Sequence, residues 1–155
     1  MDEPRLQHPT SLVCRVHTRL CALPLAQLLE VLRPLPLETL PQAPPHVLGL
    51  ARLRGQAVPV LDLAGLLGLE RPAGERARRL VHLTVGRRRA ALLVDEVLGL
   101  RPLEAAQQQA LPPLLSESAA QLAVQTLARL DGELLLVLNA ARLLPASLPQ
   151  EQAPA

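Results

Sequence analysis

Residues 47–69 read VLGLARLRGQAVPVLDLAGLLGL, and this stretch decides the fold. GLARLRGQAVPVLDL reads as two strands hinged at Arg54-Gly55, and AGLLGL reads as a short helix behind them. Asp62 stands at the start of that helix, where a carboxylate caps by accepting from the free backbone N–H groups.

The same order of elements recurs later in the chain. VLDLAGLL (60–67) returns as VLNAARLL (137–144), so each half ends as strand, Asx and short helix. Leu12, Cys14 and Val16 alternate with Val13, Arg15 and His17 as a half-buried strand should, and Val81, Leu83 and Val85 alternate likewise. A polar break at His17-Thr18-Arg19 leads into a second apolar strand, Leu20–Leu23. A turn at Gly86–Arg89 leads into AALLVDEVL, read as one strand. The triplet Glu30-Val31-Leu32 returns as Glu96-Val97-Leu98. Residues 25–32, LAQLLEVL, fit a helical turn running into a strand. Five prolines between Pro34 and Pro45 exclude a long helix there and mark an irregular crossing. Asp131-Gly132, between two apolar runs, is a hairpin turn. The polar stretch 70–79 is the natural linker. The chain thus divides into a tail (1–11), a first β subdomain (12–69), the linker (70–79), a second β subdomain (80–145) and a second tail (146–155). Strands so short and apolar imply small barrels that share a buried face.

Composition excludes several functions. Sixteen basic and fourteen acidic residues leave a formal charge of +2, too balanced for a nucleic-acid or anionic-membrane partner. The absence of Phe, Tyr and Trp removes base-stacking platforms and aromatic cages. No apolar run approaches the roughly 20 residues of a membrane span, and the acidic start has no signal-peptide pattern, so a cytoplasmic protein without direct membrane insertion is expected. His8, His17, His46 and His82 stand in four separate segments, and Cys14 and Cys21 lack CxxC spacing. No metal site or other cofactor is expected, and the cysteines read as small core residues. Neither a Gly-rich phosphate loop nor a GxSxG elbow occurs, and the adjacent Asp95 and Glu96 point to opposite faces of a strand. Arg87, Arg88 and Arg89 read as a solvated hairpin tip. Nothing here supports an enzyme.

One polar pair stands out. Glu30 in LAQLLEVL and Arg54 in LARLRGQAV are each flanked by apolar residues, and a charge held beside a core needs a counter-charge. The planar guanidinium fork of Arg suits a carboxylate bidentately.

Residues 47–69 resemble the signature of the CheW family: an apolar run, Leu53-Arg54-Gly55, then Pro59 and Asp62-Leu63. The likeness continues through ALLVDEV (91–97) and ELLLVLNAARLL (133–144), and so covers residues 12–144. It implies a mainly β fold of two intertwined, five-stranded, SH3-like barrels with short helices, and no catalysis. It also implies an adaptor that bridges the cytoplasmic hairpins of chemoreceptors (methyl-accepting proteins) to the regulatory domain of a CheA-type histidine kinase, in arrays shared with other CheW-like proteins. The coupling pair of the family falls on Glu30 and Arg54, with Gly55 beside it. The receptor groove is expected between the subdomains, lined by Val58, Val60, Leu61, Leu92 and Val94. On the kinase side Arg52, Ala64 and Leu67 depart from the residues usual in the family, Asn, a basic residue and Phe. Those departures point to a divergent member of the Frz type that keeps the receptor and binds the kinase weakly. A small-molecule-binding β-barrel is the reading from another class.

Overall fold

Four tight turns fix which strands become neighbours. At Arg54-Gly55 φ is 51° and 84°, and at Asp131-Gly132 it is 52° and 83°. Positive φ at both central residues matches the right-handed twist of the flanking strands, and glycine in second place takes it without strain. His17 (φ 57°) and Gly86 (φ 60°) turn the other two hairpins.

The computed structural model describes residues 10–69, 78–103, 108–109 and 123–144. Eleven strands follow in order: β1 Thr10–Val16, β2 Arg19–Pro24, β3 Leu28–Leu32, β4 Val47–Leu53, β5 Gln56–Asp62, β6 Arg79–Val85, β7 Arg88–Val94, β8 Glu96–Pro102, β9 Gln108–Gln109, β10 Val124–Leu130 and β11 Glu133–Leu138. A 3₁₀ turn, Leu25–Gln27, precedes β3, and the short helices α1 (Leu63–Leu66) and α2 (Ala140–Leu143) follow β5 and β11. Asn139 caps α2, its side chain accepting from the Ala141 N–H at 3.0 Å. Asp62 makes no such cap bond to α1.

The first sheet runs β8-β1-β2-β11-β10-β9 and the second β3-β6-β7-β5-β4. The β2–β11 and β5–β7 pairs are parallel and every other pair is antiparallel. Each half of the sequence therefore lends its opening hairpin to the other half's sheet. Hairpin β1–β2 is paired with β8 and β11, and hairpin β6–β7 with β3 and β5. This exchange is the intertwining that the resemblance implies. The two sheets are curled but not closed barrels, and the first carries a sixth, two-residue strand.

The stretch AALLVDEVL is not one strand. It breaks at Asp95, where the chain leaves the second sheet for the first. The Asp95 carboxylate accepts from the His17 N–H at 2.5 Å, its own N–H donates to the Arg15 carbonyl at 3.0 Å, and Arg78 lies 3.7 Å away.

Register also corrects one detail of the repeat. Val16–Arg19 and Val85–Arg88 close equivalent hairpins, so Val13 corresponds to His82. Val13 faces Gly99 and His82 faces Glu30. The counterpart of Glu30 is thus Gly99, and the likeness of Glu30-Val31-Leu32 to Glu96-Val97-Leu98 is out of register.

Alternation along the hairpins divides the core into three parts. Leu12, Cys14, Val16, Cys21 and Leu23 pack against Leu61, Val81, Leu83, Leu92 and Val94 between the two sheets. Val13, Leu20, Ala22, Leu135 and Val137 fill the curl of the first sheet. Ala51, Leu53, Val58, Val60, Leu80 and Ala91 fill that of the second. The central strands are buried on both faces, which is why their sequences run apolar without a break.

Candidate surface for partner docking

Along β3 the half-buried Leu28, Glu30 and Leu32 alternate with the exposed Leu29 and Val31. Glu30 therefore points toward the interior of the second sheet's curl, beside its cross-strand partner His82. Arg54 comes from the β4–β5 turn, at the opposite end of the strand order. Its guanidinium nevertheless meets Glu30 with two bonds, Nη1 to Oε2 at 2.5 Å and Nη2 to Oε1 at 2.6 Å. The sheet must curl until its two edges face one another, and this ion pair spans the seam. Lower down, Glu38 and Leu50 exchange backbone bonds of 2.8 and 2.9 Å, tying the chain after β3 to β4.

His82 completes the arrangement, its Nδ1 lying 3.2 Å from Glu30 Oε2. Side-chain exposure falls from 73% at Arg54 through 21% at Glu30 to 3% at His82, so the three form a line from solvent to core. The Arg54 bonds, and then the His82 contact, hold the Glu30 carboxyl well below the usual range, at about 2. Burial pushes the His82 ring down against the pull of Glu30, so the ring is neutral at ordinary pH and donates Nδ1–H to the carboxylate. Glu30 in turn holds Arg54 still more firmly protonated.

The edge strands β3 and β8 carry exposed apolar side chains. Val31 stands opposite Val81 on β6, and Leu100 of β8 stands opposite Leu12 on β1. Val81 and Leu12 both belong to the core between the sheets, whereas Val31, Leu100 and the neighbouring Leu29 are exposed. Cross-strand partners share a face, so Val31 and Leu100 lie on the faces that hold the inter-sheet core.

The residues expected to line the groove lie elsewhere. Val58 and Val60 are inside the second sheet's curl, and Leu61, Leu92 and Val94 are in the inter-sheet core, all of them buried. In the free chain none of them reaches the surface. Ala64 and Leu67 are buried as well, which removes two of the three departures expected on the kinase side. Arg52 is exposed, bonding Glu38 Oε2 at 3.3 Å and the Gly55 carbonyl at 3.4 Å. Gly55 serves the turn: a Cβ would meet nothing within 4 Å, but φ is +84°. Cys14 and Cys21 face each other across the first hairpin, buried and free. The arginine triplet is only partly a solvated tip. Arg88 reaches the Leu144 carbonyl at 3.3 Å and the Ala141 carbonyl at 3.4 Å behind α2, and Arg89 donates to Gln56 at 2.7 Å.

Sequence reading brought Glu30 and Arg54 together and missed His82 and Asp95. Among the described residues no three His, Cys, Asp or Glu side chains gather as a metal site, and no helix is long and apolar enough to cross a membrane.

The CheW-like domain family matches residues 10–147. The chain belongs to that family. It is similar to protein PilI of Pseudomonas aeruginosa, 37% identical over 105 residues, which are 64% of this chain and 57% of PilI. FrzA of Myxococcus xanthus is 41% identical over 98 residues, 63% of this chain and 59% of FrzA. The CheW-like chain thus spans 57% and 59% of the lengths of these two curated relatives. In fold it matches the scaffolding protein TtCheW of Thermoanaerobacter tengcongensis, with a TM-score of 0.76 at 22% identity over 86% of this chain and 90% of that one.

Proposed function

We propose that this CheW-like protein is a non-catalytic adaptor of a bacterial chemosensory array, working in the cytoplasm against receptor tips. Its β3 and β8 edges would grip the cytoplasmic hairpin of a chemoreceptor. The observation that carries the reading is that the β3 edge presents exposed apolar side chains (Leu29, Val31) in the same strand as the carboxylate of the bidentate Glu30–Arg54 pair, with exposed Leu100 on the β8 edge. An amphipathic helix offers the matching surface, an apolar stripe bordered by polar groups that read the ion pair. A CheA-type kinase regulatory domain is the second partner in this reading. Its selective loss is no longer favoured, because Ala64 and Leu67 are inside the protein and only Arg52 changes the surface.

The test is a titration of the chain against a receptor hairpin and a kinase regulatory domain, separately and at one salt concentration. Val31→Glu and Leu100→Glu place a charge at the centre of the proposed contact and should weaken receptor binding about tenfold or more. Thermal unfolding, measured alongside, should move little because both positions are exposed. Receptor binding at wild-type strength in both variants would sink the reading, as would kinase binding without any receptor binding.

A further inference from the structure

We propose that His82 is the positioning residue of the Glu30–Arg54 pair, and that by taking up a proton it competes with Arg54 for the carboxylate and loosens the arginine on the surface. The inference rests on the docking role of that pair and adds the group that controls it.

The geometry gives Glu30 Oε2 two claimants, Arg54 Nη1 at 2.5 Å from the solvent side and His82 Nδ1 at 3.2 Å from the core side. Only Oε1 belongs to Arg54 alone, at 2.6 Å. With the ring neutral, Nδ1–H donates and steers the carboxylate, while the guanidinium holds the stronger, charge-assisted bonds. His82 Nε2 is buried with no hydrogen-bond partner among the described residues. In the neutral ring that atom is a bare acceptor. In the imidazolium it becomes a charged donor facing away from the one carboxylate nearby, which is the costlier state to bury.

The charged groups around the ring come from three elements. Glu30 on β3 favours the protonated form, whereas Arg54 on the β4–β5 turn and Arg89 on β7 oppose it. Burial outweighs the attraction of Glu30, so the ring titrates below its ordinary 6.5. When a proton from solvent does arrive, the His82–Glu30 contact becomes an ion pair and Oε2 is drawn toward the core. Arg54, now repelled by a second cation, keeps at most its Oε1 bond. The surface then presents a freer guanidinium, able to pair with an acidic side chain of a partner.

The deciding measurement is a nuclear magnetic resonance titration of the free full chain, following the His82 ring, the Glu30 carboxyl carbon and the Arg54 side-chain nitrogens. All three should inflect at one midpoint below 6.5. His82→Asn keeps an N–H close to the place of Nδ1 but cannot titrate, so its Glu30 and Arg54 signals should stay flat over that range. An Arg54 signal that is flat through the His82 midpoint in the wild type overturns the proposal, as does an inflection that survives in His82→Asn. The wild-type titration decides even if the variant fails to fold. Receptor binding measured above and below the midpoint separates the two readings. If the inflections occur without any change in affinity, the positioning role holds and the docking surface lies elsewhere.

Discussion

In the second sheet the edge strand carries the acid, Glu30, and the opposing turn carries the arginine, Arg54. In the first sheet Arg101 on the edge strand meets Asp131 on the equivalent turn, with the signs reversed. The backbones at the two seams match closely, down to the paired positive φ angles of the turns. Their chemistry does not. Arg101 and Asp131 make one contact of 3.5 Å with side chains 44% and 77% exposed, whereas Glu30 and Arg54 make two short ones. Behind Glu30 stands a buried imidazole; at the equivalent places of the first sheet stand Gly99 and Val13. The comparison shows that curling the sheet does not require a bidentate, buried-backed ion pair. The first sheet has a two-contact pair of its own, Arg15 to Glu133 at 2.9 and 3.4 Å beside Arg101 and Asp131, so what sets the second seam apart is the buried imidazole behind its carboxylate.

The largest expected effect tests whether the two curls are alike beneath their seams. Leu80 and Leu135 are fully buried, each in its own interior cluster. Leu80→Ala and Leu135→Ala should each cost about 2–5 kcal/mol in urea unfolding, and their effects should add because the cavities share no wall. A strong departure from additivity would show that the interiors are coupled and that the seams cannot be compared separately.

Acid should weaken a pair in each sheet, since Arg15 holds the Glu133 carboxyl below its usual range as Arg54 and His82 hold Glu30. The Glu30 pKa of about 2 lies below its ordinary 4.5, so the unfolded chain binds that proton first. Its stabilisation is complete above 4.5 and is lost as pH falls toward 2. His82 is also depressed, so the stability due to its neutral ring is present above 6.5 and is lost as pH falls below that value. Both slopes have the same sign. Glu30→Gln should flatten the fall in thermal midpoint between pH 4.5 and 2, and a profile parallel to wild type would remove Glu30 from the account.

The smallest effect belongs to the first seam. Arg101→Ala and Asp131→Asn, which keeps a residue tolerant of the turn's positive φ, should each change stability by less than about 0.5 kcal/mol in the same urea experiment, as exposed single-contact pairs do. A loss well above that would make the two seams equals after all.

Much of this was legible in the sequence. The hinge at Arg54-Gly55, the hairpin turn at Asp131-Gly132 and the recurrence of VLDLAGLL as VLNAARLL gave the β fold, and the resemblance to the CheW family singled out Glu30 and Arg54 among charges that alone read as surface. The exposed surface was not legible, for a physical reason. A strand such as β5 is covered on one face by its own curl and on the other by the second sheet, so Val60 and Leu61 look alike in sequence and neither reaches solvent. His82 escaped because its role depends on the register of β3 against β6, which no local pattern encodes. The break at Asp95 escaped for the same reason, its partners lying in the β1–β2 turn.

The exchange of hairpins has a consequence for how the chain comes off the ribosome. Residues Thr10–Pro24 emerge before the rest of the described chain and can zip up at once as a local hairpin. Their permanent neighbours are β8 and β11, and the second of these is synthesised near the end of the described chain. Until then the β2 edge of the hairpin stands open, and its Val13, Leu20 and Ala22 face lacks Leu135 and Val137. Pairings of such long sequence separation slow folding and leave strand edges available to other chains. The first hairpin of the described chain is thus secured only when β11 is made, and a nascent copy is most vulnerable to aggregation while it waits.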